Sequence, residues 1–304
     1  MNVIELDGVT KRFANVTAVD DLSLAVPAGC IYGFIGPNGS GKTTTLRMIM
    51  RILLPDRGHI TVLGDSATLA ARDRVGYLPE ERGLYKSMTL RRLLRYYGRL
   101  KGRPLADVDR SIGEWLTRLD LVQWADRKIE TLSKGMSQKA QFIAAIVGSP
   151  ELLILDEPFS GLDPVNAEVL RESVLELRRR GATVVFSTHD MATAEKMCDR
   201  IFMIFRGRKV LDGTLDEIQA TYGFDTIRVR TSDGVASVVG LPGVEAVSDY
   251  GNVQEVRITI DAQEFLRMLV SRTVVHQFEI VRPSLHDIFV RIARPEQDET
   301  IAHA

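Results

Sequence analysis

Three short segments decide the fold of this chain: Leu132-Ser133-Lys134-Gly135-Met136-Ser137-Gln138, then Asp156-Glu157, then Ser160-Gly161-Leu162-Asp163. Upstream of them, Gly36-Pro37-Asn38-Gly39-Ser40-Gly41-Lys42-Thr43 fits the pattern G-x-x-x-x-G-K-[ST] of a phosphate-binding loop. Such a loop indicates only that a nucleotide binds. The segment Ser133-Lys134-Gly135 has no evident task at the nucleotide of its own chain, and we therefore expect it to complete the site of a second copy.

The composition restricts the class of protein. The chain has 304 residues, which is enough for two domains. Its apolar share of 45% and charged share of 26% are ordinary for a globular protein. The net charge is −1, and the part after residue 220 carries 8 basic against 12 acidic residues. Because nucleic acid attracts basic surfaces, we expect no nucleic-acid partner.

Cysteine usage and hydropathy indicate a cytosolic protein. The two cysteines, Cys30 and Cys198, lack the spacing of a metal site or a disulfide framework and are expected to be reduced thiols. No apolar run approaches the ~18 residues of a membrane span. The start, Asn2–Asp7, lacks the basic and apolar regions of a signal peptide. We therefore expect contact with a membrane only through a partner.

Short aliphatic runs alternate with helical stretches, a pattern that predicts an α/β core with parallel strands. Cys30–Ile35 leads into the phosphate loop, Leu152–Leu155 ends in Asp156, and Thr183–Ser187 ends before His189. Polar chemistry thus follows the carboxyl ends of strands, where open α/β sheets bind ligands. Three early segments predict an antiparallel layer, namely Asn2–Leu6, Leu22–Val26 and Gly58–Leu63.

Two further regions have their own patterns. Apolar residues recur three and four apart among basic ones at Leu90, Leu93, Leu94, Tyr97 and Leu100, and Asp107–Leu121 repeats the pattern, which predicts a helical subdomain over about 88–148. After residue 220 the order βαββαβ predicts a small ferredoxin-like sandwich followed by a helix at Pro283–Ala293. Its strands are expected at Thr226–Thr231, Val244–Tyr250, Val253–Ile260 and Val274–Val281, and its helices at Val235–Val239 and Glu264–Ser271. We expect domains at 1–220 and 221–304.

In this order the motifs resemble the nucleotide-binding subunits of ABC transporters, and the likeness covers about residues 1–220. Gly76–Tyr85 together with Leu132–Met136 resembles the branch that serves exporters with separately encoded permeases. Pro283–Phe289 is similar to the small C-terminal domain found in that branch. The resemblance implies a P-loop cassette, with a RecA-like α/β core, an antiparallel β layer and an inserted helical subdomain, plus a small α+β ferredoxin-like domain.

The resemblance also implies ATP and Mg²⁺ and assigns their sites. The predicted nucleotide contacts are Phe13, Gly36, Pro37, Asn38, Gly39, Ser40, Gly41, Lys42, Thr43, Thr44, Ser133, Lys134, Gly135, Met136 and Asp163. The Mg²⁺ shell is assigned to Thr43, Glu80 and Asp156, and catalysis to Glu157, His189 and Lys42. The chemistry agrees, because loop N–H groups and a helix N-terminus attract phosphate, and an apolar strand that ends in two carboxylates needs something cationic nearby.

Several of these residues have a second interpretation. Ser133 could be a plain N-cap of the helix that we expect to begin near Gln138, and Phe13 could pack in the core instead of stacking on adenine. Glu80 stands where most relatives have glutamine, and adjacent Glu81 leaves open which carboxylate faces the metal. Leu84, Tyr85 and Met88 either cover the local core or form the groove that receives a permease helix in the family.

The sequence therefore predicts a motor subunit. Two copies close head to tail on two MgATP, hydrolyse ATP and drive an integral-membrane permease, with export implied by the branch resemblance alone. The protein would then be cytoplasmic and peripheral on the inner face of the cell membrane. The alternative is a soluble ABC-type ATPase acting in cofactor assembly or repair. A P-loop kinase would leave Ser133-Lys134-Gly135 and His189 without a task.

Overall fold

The computed structural model describes residues 1–64, 73–81, 83–222 and 226–293, so Arg82 of the Gly76–Tyr85 stretch lies outside the described residues. Its contacts divide the chain into two compact units, Met1–Thr214 and Leu215–Ala304. The division falls a few residues before the boundary that we expected at 220. The reason is the helix Leu215–Tyr222, whose Gln219 donates to the carbonyl of Pro283 (3.0 Å) and so joins the second unit.

The first unit contains nine strands and six α-helices within the described residues. Its strands are β1 Asn2–Phe13, β2 Val16–Pro27, β3 Ile31–Ile35, β4 Arg57–Val62, β5 Val75–Leu78, β6 Leu152–Asp156, β7 Thr183–Thr188, β8 Arg200–Phe205 and β9 Arg208–Gly213. Its helices are α1 Lys42–Ile49, α2 Leu90–Leu100, α3 Leu105–Arg118, α4 Lys134–Ile146, α5 Pro164–Arg179 and α6 Met191–Met197.

A six-stranded sheet with the order β5-β6-β7-β3-β8-β9 forms the centre of this unit. Strands β3, β6 and β7 are parallel and wholly buried, as their continuous apolar runs require. Ile35 pairs with Thr188, and Asp156 pairs with Ser187. This register brings the phosphate loop, the two carboxylates and His189 together at the carboxyl ends of the parallel strands.

The sequence predicted a core with parallel strands, and the structure adds one antiparallel strand that the sequence pattern did not predict. Strand β9 runs antiparallel to β8 at the edge. The two residues between them, Arg206 and Gly207, have φ values of 49° and 77°. Two consecutive positive φ angles produce the tight hairpin that suits the twist of paired strands, so the chain turns back here instead of crossing over.

An antiparallel sheet with the order β2-β1-β4 lies beside the parallel one, where the early segments predicted a layer. Strands β1 and β2 are longer than predicted because several register shifts let β1 bend and continue to Phe13, whereas β4 is only displaced by one residue. Its inner face shares one core with the central sheet and with the helix that follows the phosphate loop. Val19, Leu22, Phe34 and Leu46 are fully buried there.

Helices α2, α3 and α4 form the helical insertion. Leu90, Leu93 and Leu94 are fully buried in the core that they share with Trp115 and Phe142, whereas Leu100 at the end of the predicted stripe is 56% exposed. Helix α4 begins at Lys134, so our expectation of a start near Gln138 was wrong. The Ser133 hydroxyl accepts from the backbone N–H of Met136 and starts the helix there, with Gly135 inside the first turn.

The second unit has the predicted βαββαβ order. Its elements are α7 Leu215–Tyr222, β10 Thr226–Thr231, α8 Val235–Val238, β11 Val244–Asp249, β12 Gln254–Ile258, α9 Ala262–Arg272, β13 Val275–Val281 and α10 Leu285–Ala293. The sheet order β11-β12-β10-β13 is that of a ferredoxin-like sandwich. Val229, Val256, Phe265 and Leu269 form its core. Across both units, no helix of the described residues combines the length and the apolar character that crossing a bilayer demands.

Candidate active site

The phosphate loop connects β3 to α1, and its glycines are required by close backbone contacts. A Cβ on Gly36 would lie 2.2 Å from the carbonyl oxygen of Ile204, and one on Gly41 would lie 2.5 Å from that of Ala18. Gly41 also has a φ of 110°, which side-chain-bearing residues rarely adopt. The loop therefore wraps closely before α1, as a cradle of backbone N–H groups for phosphate requires.

Lys42 is the first residue of α1, and its side chain is only 6% exposed. The ammonium donates to the carbonyl oxygens of Gly36 (2.7 Å) and Pro37 (3.2 Å). It also lies 3.5 Å from Oε1 of Glu157, which forms an ion pair with it. Lys42, the cation predicted for the phosphates, therefore lies in contact with Glu157, the predicted base.

Asp156 ends β6 and is buried. Its Oδ1 accepts hydrogen bonds from the hydroxyls of Thr43 (3.2 Å) and Ser187 (2.6 Å). Its Oδ2 is also buried and has no hydrogen-bond partner within the described residues. A buried, unpaired carboxylate oxygen beside a hydroxyl is a donor set that fits Mg²⁺. The assignment of Thr43 and Asp156 to the metal is compatible with this geometry.

A cavity of about 180 Å³ opens beside Asp156 and is lined by Glu80, Gln141 and Glu157 among others. Of the two adjacent carboxylates left open by the sequence, Glu80 belongs to this lining. Burial raises the pKa of neighbouring Tyr77, and the charges of Asp156 and Glu80 raise it further. Arg47 lowers the same pKa, so the tyrosine lies between carboxylates and a cation. The carboxylate oxygens that line the cavity are ligands that suit a divalent cation.

Glu157 has an unusual backbone and a well-defined side-chain position. Its φ is 49°, in the left-handed region that non-glycine residues seldom occupy. Its backbone N–H donates to the Ser187 hydroxyl (2.8 Å), and its carboxylate oxygens lie 3.0 and 3.1 Å from Nδ1 of His189. The carboxylate is 9% exposed and the imidazole 53% exposed. A carboxylate held in this way can accept a proton from a water molecule at the sheet edge.

The start of α4, within the helical insertion, lies at the surface. Ser133 and Lys134 are exposed, and a Cβ on Gly135 would lie 3.4 Å from the side chain of Asn166. Asp163, also exposed, caps α5 by accepting from the backbone N–H of Asn166 (3.0 Å), and this bond lowers the pKa of Asp163. The residues predicted to reach across a dimer, Ser133 to Met136 and Asp163, therefore lie close together.

Phe13 ends β1 and is 44% exposed, so it is not a residue of the core, which was the alternative interpretation. The ammonium of Lys11 lies 5.5 Å from the ring centroid. A ring with this much exposure can stack on a flat base. The remaining loop residues, Pro37 to Ser40, Thr43 and Thr44, lie between β3 and the first turn of α1, as the pattern predicted.

Sequence reasoning missed two polar contacts that shape the site. Ser187 bridges Asp156 and the backbone of Glu157, and Gln138 on α4 donates to the carbonyl oxygen of Pro158 (2.5 Å). Both residues are buried. Buried polar groups need partners, but which partners these two residues find depends on tertiary contacts that the local sequence does not show.

The fold and the site together define an ATP-binding cassette of the P-loop class. Comparison with family models agrees: residues 19–160 match the family described as ABC transporter. Residues 213–293 match the family described as ATP-binding protein DrrA1-3-like, C-terminal domain. The cassette fold and the small accessory domain that we predicted are thus confirmed.

Similar proteins cover nearly the whole chain. The uncharacterized ABC transporter ATP-binding protein YhaQ of Bacillus subtilis is 39% identical across 95% of this chain and 97% of its own length. The Nod factor export ATP-binding protein I of Paraburkholderia xenovorans is 35% identical across 97% and 98%, respectively. A solved ATP binding subunit of an ABC transporter is 33% identical over 73% of this chain and 93% of its own, with a TM-score of 0.69. The chain belongs to the ATP-binding proteins of ABC transporters.

Proposed function

We propose that this chain is the ATP-hydrolysing motor subunit of an exporter, that it dimerises on MgATP, and that it drives a membrane permease. One observation carries the proposal: the Glu157 carboxylate lies within hydrogen-bonding distance of His189 and 3.5 Å from the Lys42 ammonium, at the end of the phosphate loop. A base, a polar sensor and a cation at one sheet edge are the groups that phosphoryl transfer to water requires.

In the proposed reaction Glu157 accepts the proton of the attacking water. Its low exposure limits competing solvent, and the hydrogen bond to Nδ1 of His189 fixes the direction of the carboxylate. Lys42 supplies positive charge to the phosphates. The backbone N–H groups of the glycine-rich loop add hydrogen bonds to the same phosphates. The rate enhancement then comes mainly from positioning and charge stabilisation, as in other nucleotide hydrolases.

We propose Thr43, Asp156 and Glu80 as the residues that hold Mg²⁺. The unpaired Oδ2 of Asp156 and the shared bond between Asp156 and Thr43 support the first two. Glu80 lines the same cavity, and its carboxylate is a hard oxygen donor. When bound, the metal would neutralise charge on the phosphate oxygens.

The proposed dimer is head to tail and two-fold symmetric. Ser133–Met136 of one copy would face the nucleotide on the phosphate loop of the other, and Asp163 would lie beside that contact. The exposure of Ser133, Lys134 and Asp163 supports this arrangement. Ser133 is also the N-cap of α4, and the two roles are compatible because a capped helix N-terminus is itself a site for anions.

The proposed partner on the membrane side is a permease, which places the subunit at the inner face of the cell membrane. The relative from Paraburkholderia xenovorans is named for Nod factor export, and this name supports the export direction for our chain. A cavity of about 500 Å³ beside α2 combines apolar and basic side chains and offers a surface for an amphipathic permease helix. It is lined by Met88, Tyr96, Leu100 and Leu105 and by Arg92, Arg95 and Arg99.

The test is Glu157→Gln, which keeps the shape of the side chain and removes its basicity. ATP hydrolysis should fall on the order of 10²–10⁴-fold, while ATP binding persists and a dimer accumulates under saturating MgATP with the permease present. Light scattering and phosphate release measure the two effects. Glu168→Gln, an exposed change on α5, is the control and should behave as wild type. A variant that stays monomeric, or one that hydrolyses ATP at the normal rate, would exclude the proposal.

A further inference from the structure

Ser187 is a buried hydroxyl in an apolar strand. It is the next-to-last residue of β7, it has no solvent exposure, and the four residues before it, Thr183–Phe186, are buried as well. In the register of the sheet it lies opposite Asp156, the last residue of β6. A hydroxyl in such surroundings must find its hydrogen-bond partners within the protein.

Both hydrogen-bonding functions of this hydroxyl are used at the active site. Oγ donates its proton to Oδ1 of Asp156 at 2.6 Å and accepts the backbone N–H of Glu157 at 2.8 Å. Because one bond is donated and one is accepted, the rotation of the hydroxyl is fixed. One atom therefore connects the side chain of Asp156 to the backbone of Glu157.

The backbone of Glu157 needs such a partner. The ladder between β6 and β7 ends at the pair Asp156 and Ser187, and the positive φ of Glu157 turns the chain away from the sheet. The N–H of Glu157 would then point into buried space without a strand carbonyl to accept it. The Ser187 hydroxyl takes the place of that carbonyl and holds the left-handed turn, which sets the direction of the Glu157 carboxylate toward His189.

We propose that Ser187 is a positioning residue for ATP hydrolysis. It holds the base, Glu157, at a constant place relative to Asp156, and Asp156 is joined in turn to Thr43 of the phosphate loop through the same Oδ1. The base and the residues proposed for the metal are thereby connected as one unit. This inference rests on the proposed ATPase function and adds to it the residue that aligns the base.

The experiment compares Ser187→Ala, Ser187→Thr and Ser173→Ala in the full-length chain with its permease. Ser173 on α5 is an equally buried serine whose hydroxyl donates only to the carbonyl of Val169 (2.8 Å). Misplacing a catalytic group by about 1 Å can cost about 100-fold in rate. We therefore expect Ser187→Ala to lower kcat by roughly 10- to 100-fold with an unchanged KM for ATP. Ser187→Thr, which keeps the hydroxyl, should recover most of kcat, and Ser173→Ala should match wild type.

A second measurement keeps the test decisive if threonine does not fit the buried position. In the Glu157→Gln background the base is already lost, so adding Ser187→Ala should not lower single-turnover hydrolysis further. A further loss of single-turnover hydrolysis in the double variant would overturn the inference. A parallel fall of kcat, ATP affinity and Tm in Ser187→Ala alone would show that Ser187 is merely structural and would also overturn it. An unchanged kcat in Ser187→Ala, with an active wild type, would also overturn it. A wild-type chain without ATPase activity would instead refute the proposed function itself.

Discussion

At the scale of single residues, Glu80 is the position at which the family resemblance implied a glutamine. A carboxylate replaces the amide that the family resemblance led us to expect, and it lines the cavity that also contains Asp156 and Glu157. Three carboxylates around one small cavity repel one another unless a cation neutralises them. The Lys42 ammonium lies 3.5 Å from Glu157, and we propose that Mg²⁺ supplies the further positive charge that Glu80 and Asp156 need. The adjacent Glu81 provides a matched control for this proposal.

Glu80→Gln should raise the Mg²⁺ concentration that gives half-maximal ATPase activity. Two unit charges 4 Å apart interact by about 1 kcal/mol even at the dielectric of water, and Mg²⁺ carries two such charges. Removing the carboxylate should therefore weaken Mg²⁺ binding by roughly 30-fold. Titration of activity with Mg²⁺ at fixed ATP measures the shift. Glu81→Gln should leave the titration unchanged, and equal titrations for Glu80→Gln and wild type would exclude Glu80 from the metal site.

The limits of sequence reasoning show at particular residues. The strands that lead into the phosphate loop and into Asp156 were predictable because a short, wholly apolar run is typical of a buried parallel strand. Gln138 was expected to begin α4, but the cap at Ser133 starts that helix earlier. The contacts of Ser187 depend on the register between two strands far apart in sequence, and no local pattern carries that information.

At the scale of elements, Tyr85 in the segment before α2 contacts one of two adjacent tyrosines on that helix. Tyr85 is 55% exposed and packs edge to face against Tyr96 on α2, with ring centroids 6.0 Å apart. Tyr96 in turn contacts Tyr97 at 5.6 Å. Leu84 and Met88 pack against the buried core, as one of the two interpretations expected. Tyr85 instead remains exposed and contacts Tyr96 beside the cavity next to α2, and we propose that this surface receives an amphipathic helix.

Tyr85→Ala should weaken permease association and leave ATP binding intact. Aromatic residues at the centre of an interface commonly contribute enough that their removal weakens binding by about tenfold or more. Co-purification of the tagged permease and binding of a fluorescent ATP analogue provide the two measurements. Tyr250→Ala makes the same truncation at an exposed tyrosine of the second unit and serves as the control. Normal recovery of the permease with the Tyr85 variant would show that the partner binds elsewhere.

At the scale of the whole molecule, two units meet in the chain between Thr214 and Leu215. Helix α7 directly follows this point, and its contacts are with the second unit: Asp216 pairs with Arg282, and Gln219 donates to the Pro283 carbonyl. Ile218 on the same helix is buried. We therefore propose the domain boundary at 214 instead of 220, with α7 as the first element of the accessory domain.

A fragment that ends at Thr214 should be more soluble and give a higher yield than one that ends at Tyr222. The longer fragment keeps α7 without its partners and exposes Ile218, so it should aggregate or yield less protein. Size-exclusion chromatography, thermal melting and ATP binding of both fragments test this expectation. A stable fragment 1–222 beside an unstable fragment 1–214 would assign α7 to the cassette.

The bond from Gln138 to Pro158 has a consequence for how two copies work together. Ser133 caps the end of α4 that would meet the neighbour's nucleotide in the proposed dimer. One turn later, Gln138 donates to the carbonyl oxygen of Pro158, the residue after Glu157. We infer that a tilt of α4 against that nucleotide would shift the Pro158 backbone through this bond and, with it, the chain's own Glu157. In the proposed dimer, the two ATP sites would then respond together instead of one at a time.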